Sequence, residues 1–286
     1  MSKRGYIYAV ASAILFGTAG MFIKSILSIG LDSVQILTIQ YIIAVIIMFS
    51  VISILNKDQL KVSKKQIMHL AVLGVLGNTF MTIFYYMAFK YLPVAVVTML
   101  LYTYPIIIFI YTLIFKREGF HYKGIAAVLM AFTGCFLVLN INVNSSEYSI
   151  AGMIFAFLAA VFYAFMNLYS ERTLSNIPAI VTNAYSTLFS LFSLVLYSPP
   201  IFLFHSNINP KSLVYIAALA VFCEIIPLTL LYSSLKYLGS MKVSVIGNLE
   251  LPTSMMMGYI MLGEKIGLIQ VLGAIIIVYA AYLVKK

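Results

Sequence analysis

The sequence predicts an all-α integral membrane protein of ten transmembrane helices, built as two inverted five-helix repeats. Three observations carry that prediction. Of the 286 residues, 63% are hydrophobic and 9% charged, against roughly a quarter charged in soluble domains. Apolar runs of about 20 residues, enough to cross the hydrocarbon core, recur ten times between polar punctuation. Segments of the second half also echo the first at a spacing of 146 or 147 residues. This length leaves no room for a sizeable soluble domain, so the bundle must itself be the functional unit.

Taken in order, helix 1 is predicted over 5–27. Lys3 and Arg4 precede an apolar run too long for a signal-peptide core, so it reads as a retained span. Cleavage after Ala11 or Ala13 is the alternative. Helices 2 to 5 follow at 33–55, 66–89, 93–115 and 121–140. Helices 6 to 10 are placed at 149–171, 177–204, 211–236, 241–262 and 266–284. Several connections are very short, which makes sequential helices antiparallel neighbours in an up-and-down bundle. The repeats are assigned to 1–143 and 144–286.

Charge sets the expected orientation. With the N-terminus inside, fourteen basic residues fall in cytoplasmic segments, and only Lys24, Lys90, Lys211 and Lys265 fall on the other side. The positive-inside rule then puts both termini in the cytoplasm of a cell-membrane protein. The net charge of +10 is spread over short connections, so no nucleic-acid partner is expected. Cys135 and Cys223 lie inside apolar runs, where a free thiol behaves as a small hydrophobe. Neither a disulfide nor a metal site is expected of them.

The internal repeat is visible residue by residue. Gly5, Ala9, Ala13 and Gly17 of helix 1 correspond to Gly152, Ala156, Ala160 and Ala164 of helix 6. Each set puts a small residue on one helical face every four positions, a stripe that lets backbones approach closely. Tyr86 to Leu92 matches Tyr232 to Leu238, Glu118 matches Glu264, and Pro105 aligns with Pro252 after a one-residue shift. Five helices per half is an odd number, so equivalent helices cross the bilayer in opposite directions. That is the architecture of many secondary transporters, with substrate near the midplane between the halves.

Two acids fall near mid-span, Glu224 in helix 8 and Glu250 in helix 9. Burying an unpaired ionised carboxylate in a membrane costs several kcal/mol, so intramembrane acids mark functional sites by default. A carboxyl there can exchange protons or counter a cationic substrate group. Pro105, Pro227 and Pro252 remove donors to the carbonyls of Leu101, Cys223 and Asn248. The three kinks could leave carbonyls free for a substrate ammonium or act as flex points. Lys24 either enters the cavity or snorkels to the interface. Asn78, Asn167, Asn183 and Gln40 lie within spans and need partners, with contacts between helices the default role for each. Tyr85, Tyr86, Tyr102, Tyr104 and Tyr163 could line an aromatic cavity suited to amines. The run Met255 to Met257 reads as adaptable packing.

Enzyme chemistry finds no footing in the sequence. It contains no GxSxG, HExxH or phosphate-binding glycine loop. His69, His121 and His205 fall near predicted helix ends or in loops. No cofactor is expected, and energy would come from a gradient or from the substrate itself.

Phe16-Gly17 followed by Lys24, Tyr104-Pro105 leading to Glu118, Pro252 leading to Leu262-Gly263-Glu264, and Gln270 to Gly273 together resemble the drug/metabolite transporter superfamily, in its ten-helix EamA-type branch. The resemblance covers nearly the whole chain. It implies a secondary transporter of bacterial type, often an exporter of amino acids or related metabolites. Two departures stand out: Phe16 replaces the Trp common in the family, and Leu251 separates Glu250 from Pro252. That one-residue displacement turns the carboxyl about 100° around the helix.

These readings converge on a secondary transporter, an exporter, of a small amine-bearing metabolite such as an amino acid, working by alternating access with proton or gradient coupling. Glu224 and Glu250 would bind the proton or ammonium, and Lys24 would pair with a substrate carboxylate. Asn78, Asn167 and Asn248 would orient the substrate, and Tyr85, Tyr102 and Tyr163 would line the site. The expected partners are a small-molecule substrate, the lipid bilayer and protons, with the protein a monomer or homodimer. A choline-like or cationic-drug transporter is the alternative, and a non-transporting membrane scaffold or sensor is the reading from another class.

Overall fold

A computed structural model describes residues 2–19, 21–22, 33–115, 122–140, 149–173, 176–205 and 210–285, and every regular element among them is helical. The membrane helices are α1 Lys3–Gly17, α2 Ser33–Asn56, α3 Lys64–Phe89, α4 Val94–Phe115 and α5 Tyr122–Leu139. The second half supplies α6 Ile150–Thr173, α7 Ala179–Tyr197, α8 Ser212–Leu238, α9 as Ser240–Gly247 plus Glu250–Leu262, and α10 Leu268–Lys285. Segments α2 to α8 are each long and apolar enough to span a bilayer. Side chains such as Ile54, Leu196 and Leu268 are more than 80% exposed. An apolar exterior of this kind suits lipid, and helices satisfy their own backbone groups there.

Packing reproduces the duplication. A Cβ on Gly5 would lie 2.5 Å from Tyr237 Cβ, and one on Gly152 would lie 2.7 Å from Tyr91 Cβ and Leu92 Cγ. Tyr91-Leu92 and Tyr237-Leu238 are the same pair in the two repeats, so each small-residue stripe docks on the other half. Helices α5 and α10 cross where Gly134 and Gly273 face one another's backbone at 2.7–2.8 Å from an added Cβ. Ala127 and Ala280, both fully buried, continue that seam.

Local irregularities are duplicated too. Within α3, Leu73–Phe80 is a π segment, and within α8 so is Val221–Ile225. Pro227 explains the second: it cannot donate to Cys223, and the bond that closes the segment is Ile226 N–H to Val221 O. Helix α4 breaks at Tyr102-Thr103 and α9 at Asn248-Leu249, shortly before Pro105 and Pro252. Helices 4 and 9 were expected as single spans, 93–115 and 241–262, kinked at Pro105 and Pro252. Helix 7 was expected to reach 204 but ends at Tyr197, because Pro199-Pro200 forces Ser198 out of helical conformation.

The end of the bundle at which α1 begins is cross-linked between elements. Ser240 N–H donates to Glu171 Oε2 at 2.8 Å, Lys236 Nζ donates to Ile177 O, and Tyr185 donates to Leu60 O at 2.9 Å. His69 Nδ1 stands 2.6 Å from the Tyr169 hydroxyl, tying α3 to α6. Cys135 and Cys223 are buried free thiols.

Candidate functional site

Glu250 opens the second segment of α9, just after the break. A carboxyl is favoured there by the partial positive charge of a helix N-terminus. Helix α1 comes close enough that a Cβ on Gly17 would sit 2.7 Å from Glu250 O. Tyr85, Tyr102, Tyr104 and Tyr163 all lie within electrostatic range of the carboxyl. The rings of Tyr104 and Tyr163 are 4.4 Å apart, and those of Tyr102 and Tyr104 are 6.2 Å apart. Tyr104 donates to Ser244 O at 3.1 Å. Gly247 permits that approach, since a Cβ there would lie 2.8 Å from the Tyr104 hydroxyl. A carboxyl ringed by aromatic faces attracts a cation twice over, by charge and by the ring quadrupole.

Glu224 sits in the π segment of α8 and is 9% exposed. Thr187 Oγ1 approaches its Oε1 at 3.4 Å and donates to Asn183 Oδ1 at 3.1 Å. Asn183 Nδ2 in turn donates to Ile225 O at 3.1 Å and to Thr229 Oγ1 at 3.0 Å. Helix α7 therefore fixes the kink of α8, while Ser12 of α1 donates to Pro227 O at 2.7 Å from the other side. Tyr41, Tyr232 and Cys223 lie within electrostatic range of the carboxyl. Tyr232 and Tyr163 are within range of each other, so a strip of tyrosines links the two acids.

The remaining predicted residues divide by place. Asn78 lies in the π segment of α3, 6% exposed, with its Oδ1 lacking a hydrogen-bond partner. Asn167 is 1% exposed and donates to the Tyr163 carbonyl at 2.9 Å, which holds α6 around that ring. Asn248 was expected to orient substrate and its carbonyl to be free. Its side chain is instead fully buried, donating to Ser244 O and Val245 O and accepting from Cys135 Sγ, and its carbonyl accepts Leu251 N–H at 3.1 Å. The break lets the chain turn to a shorter-range bond, and the amide covers the carbonyls upstream. Lys24 and Glu118 lie outside the described residues. Met255 packs in the tyrosine cluster while Met256 is exposed.

Tyr41, Thr187 and Ser12 were not singled out by sequence, and Tyr232 only as part of the repeat. A Thr four residues after Asn183 on one face of α7 was the available signal. Among the described residues no three His, Cys, Asp or Glu gather as a metal centre. A cleft of about 230 Å³ between α5, α9 and α10 is lined by Leu251, Met255, Glu264 and Gln270 and by neither mid-span acid.

This duplicated, kinked bundle has known relatives. The profile of the EamA-like transporter family matches residues 3–140 and again 150–285. The chain belongs to that family. An uncharacterized transporter of Bacillus subtilis, YcbK, is 23% identical over 94% of this chain and 88% of its own. Solute carrier family 35 member G1 of Mus musculus is 27% identical over 48% of this chain and 36% of its own. A crystal structure at 17% identity superposes with a TM-score of 0.78, covering 98% of this chain and 95% of that one, and shares the fold. This EamA-type protein is thus a multi-pass membrane transporter of the drug/metabolite superfamily.

Proposed function

We propose that the protein exports a small amine-bearing metabolite such as an amino acid, by alternating access coupled to a proton or other gradient. The observation that carries this reading is Glu250 among Tyr85, Tyr102, Tyr104 and Tyr163, at the break of α9 and against α1. Among the described residues no Lys, Arg or His pairs with that carboxyl, so a substrate ammonium would complete it. Breaks in α4 and α9 supply hinges on both sides of the site. The basic residues, fourteen against four, support cytoplasmic termini in the cell membrane, and the cross-linked end is then the cytoplasmic one.

The test is thermal stabilisation of the purified protein by amino acids, quaternary amines and neutral metabolites, followed by exchange in proteoliposomes. A ligand of the folded state alone raises its stability. Stabilisation by amino acids that disappears in Glu250→Gln is expected. Undiminished stabilisation in that variant would remove the carboxyl from the site. The four-tyrosine box also favours a second reading, a permanently charged ammonium substrate. Stabilisation by tetramethylammonium or choline rather than amino acids would select it.

A further inference from the structure

Glu224 belongs to a cluster that the amine site does not use. Thr187 of α7 lies 3.4 Å from its carboxyl and Tyr232 of α8 is within electrostatic range of it, while Asn78 of α3 and Ser186 of α7 stand beside Tyr232. Asn78 Oδ1 and the Tyr232 hydroxyl are buried, at 6% and 2% exposure, and neither makes a hydrogen bond. Tyr232 lies within range of both Asn78 and Ser186, yet the geometry falls short of bonding. Buried polar groups left unpaired cost about 1–3 kcal/mol each, so the Tyr232 hydroxyl near the carboxyl and Asn78 Oδ1 beside that hydroxyl point to an absent partner. The groups facing the carboxyl are Tyr41 on α2, with Tyr86 of α3 acting on Tyr41, and Tyr232 and Cys223 on α8. Helix α7 offers hydroxyls and an amide, and α1 offers Thr18 next to Cys223. None of these is a cation.

We propose that Asn78, Thr187, Glu224 and Tyr232 form a second cation site, for a proton or a sodium ion, separate from the amine site at Glu250. All four present oxygen, which suits a hard monovalent cation. The site bridges α3, α7 and α8 across both repeats and includes both π segments, so occupancy would bias how the halves meet. Its role in coupling rests on the transporter reading; its existence as an ion site does not.

The test uses the full chain and the ions alone. Thermal midpoints are compared in NaCl and KCl at equal ionic strength, and across pH in KCl, for wild type, Glu224→Gln, Tyr232→Phe and Glu250→Gln. A saturable, sodium-specific rise that Glu224→Gln abolishes and Tyr232→Phe weakens identifies sodium. A pH dependence of the midpoint that Glu224→Gln flattens and Tyr232→Phe shifts, without a sodium effect, identifies the proton. Wild-type responses to both ions in Glu224→Gln would overturn the proposal. Loss of the ion response in Glu250→Gln would overturn the separation of sites. If Glu224→Gln does not fold, Tyr232→Phe, which keeps the ring, decides by the same criteria. No amine is present, so failure of the substrate reading leaves this result standing.

Discussion

The two halves share their backbone devices and differ in their chemistry. Each has a π segment in its third helix and a break in its fourth, and each docks a small-residue stripe on the partner half. Yet at the repeat spacing of 146 that pairs Tyr86 with Tyr232, Glu224 stands where the first half has Asn78, and Glu250 where it has Tyr104. The structure brings Tyr104 within electrostatic range of Glu250, and brings Asn78 beside Tyr232, which is itself within range of Glu224. Duplication supplies the frame and the hinges twice. Charge is placed once in each pair, so that a neutral polar group faces an acid and two carboxylates do not repel.

The sharpest way to break that comparison is to mutate equivalent positions. Glu250→Gln is expected to weaken amine binding by about 100-fold, the scale for removing one partner of a buried charge pair. Tyr104→Phe should cost only a few-fold, and titration calorimetry distinguishes the two. Equal losses would mean the site is symmetric after all.

Next in size is Gly74→Leu. A Cβ there would lie 2.4 Å from Ser186 O, so overpacking should destabilise by about 1–3 kcal/mol, read as a drop in the detergent unfolding midpoint. Gly5→Ala and Gly152→Ala should each cost about 1 kcal/mol and match one another. A cost confined to one of them would show that the stripes are not equivalent.

Smaller still are the caps of the two breaks. Thr103 donates to Leu100 O at 2.7 Å in α4, and Asn248 performs that task in α9. Thr103→Val should cost about 0.6 kcal/mol, the mean for a membrane hydrogen bond, and Asn248→Ala somewhat more. At the low end, Asp58→Asn removes only an exposed ion pair with Lys61 and should leave stability unchanged to within about 0.5 kcal/mol.

The sequence by itself determined the membrane class, the helix count, the repeat and the two mid-span acids. These follow from composition, run length and the cost of charge in hydrocarbon, all of which are local. Kinks were legible from Pro105, Pro227 and Pro252, though not that α4 and α9 would break outright. Only tertiary structure decided which polar residues serve the site and which serve the frame. Asn248 and Asn167 look alike in sequence as intramembrane amides, yet both spend their donors on backbone carbonyls, whereas Asn78 Oδ1 stays unpartnered. Thr187 reaches Glu224 across 37 positions of chain, and Tyr104 reaches Ser244 across 140. Periodicity says which face of a helix is buried. It does not say what stands opposite, because that depends on how two halves, each open on its own, close against one another.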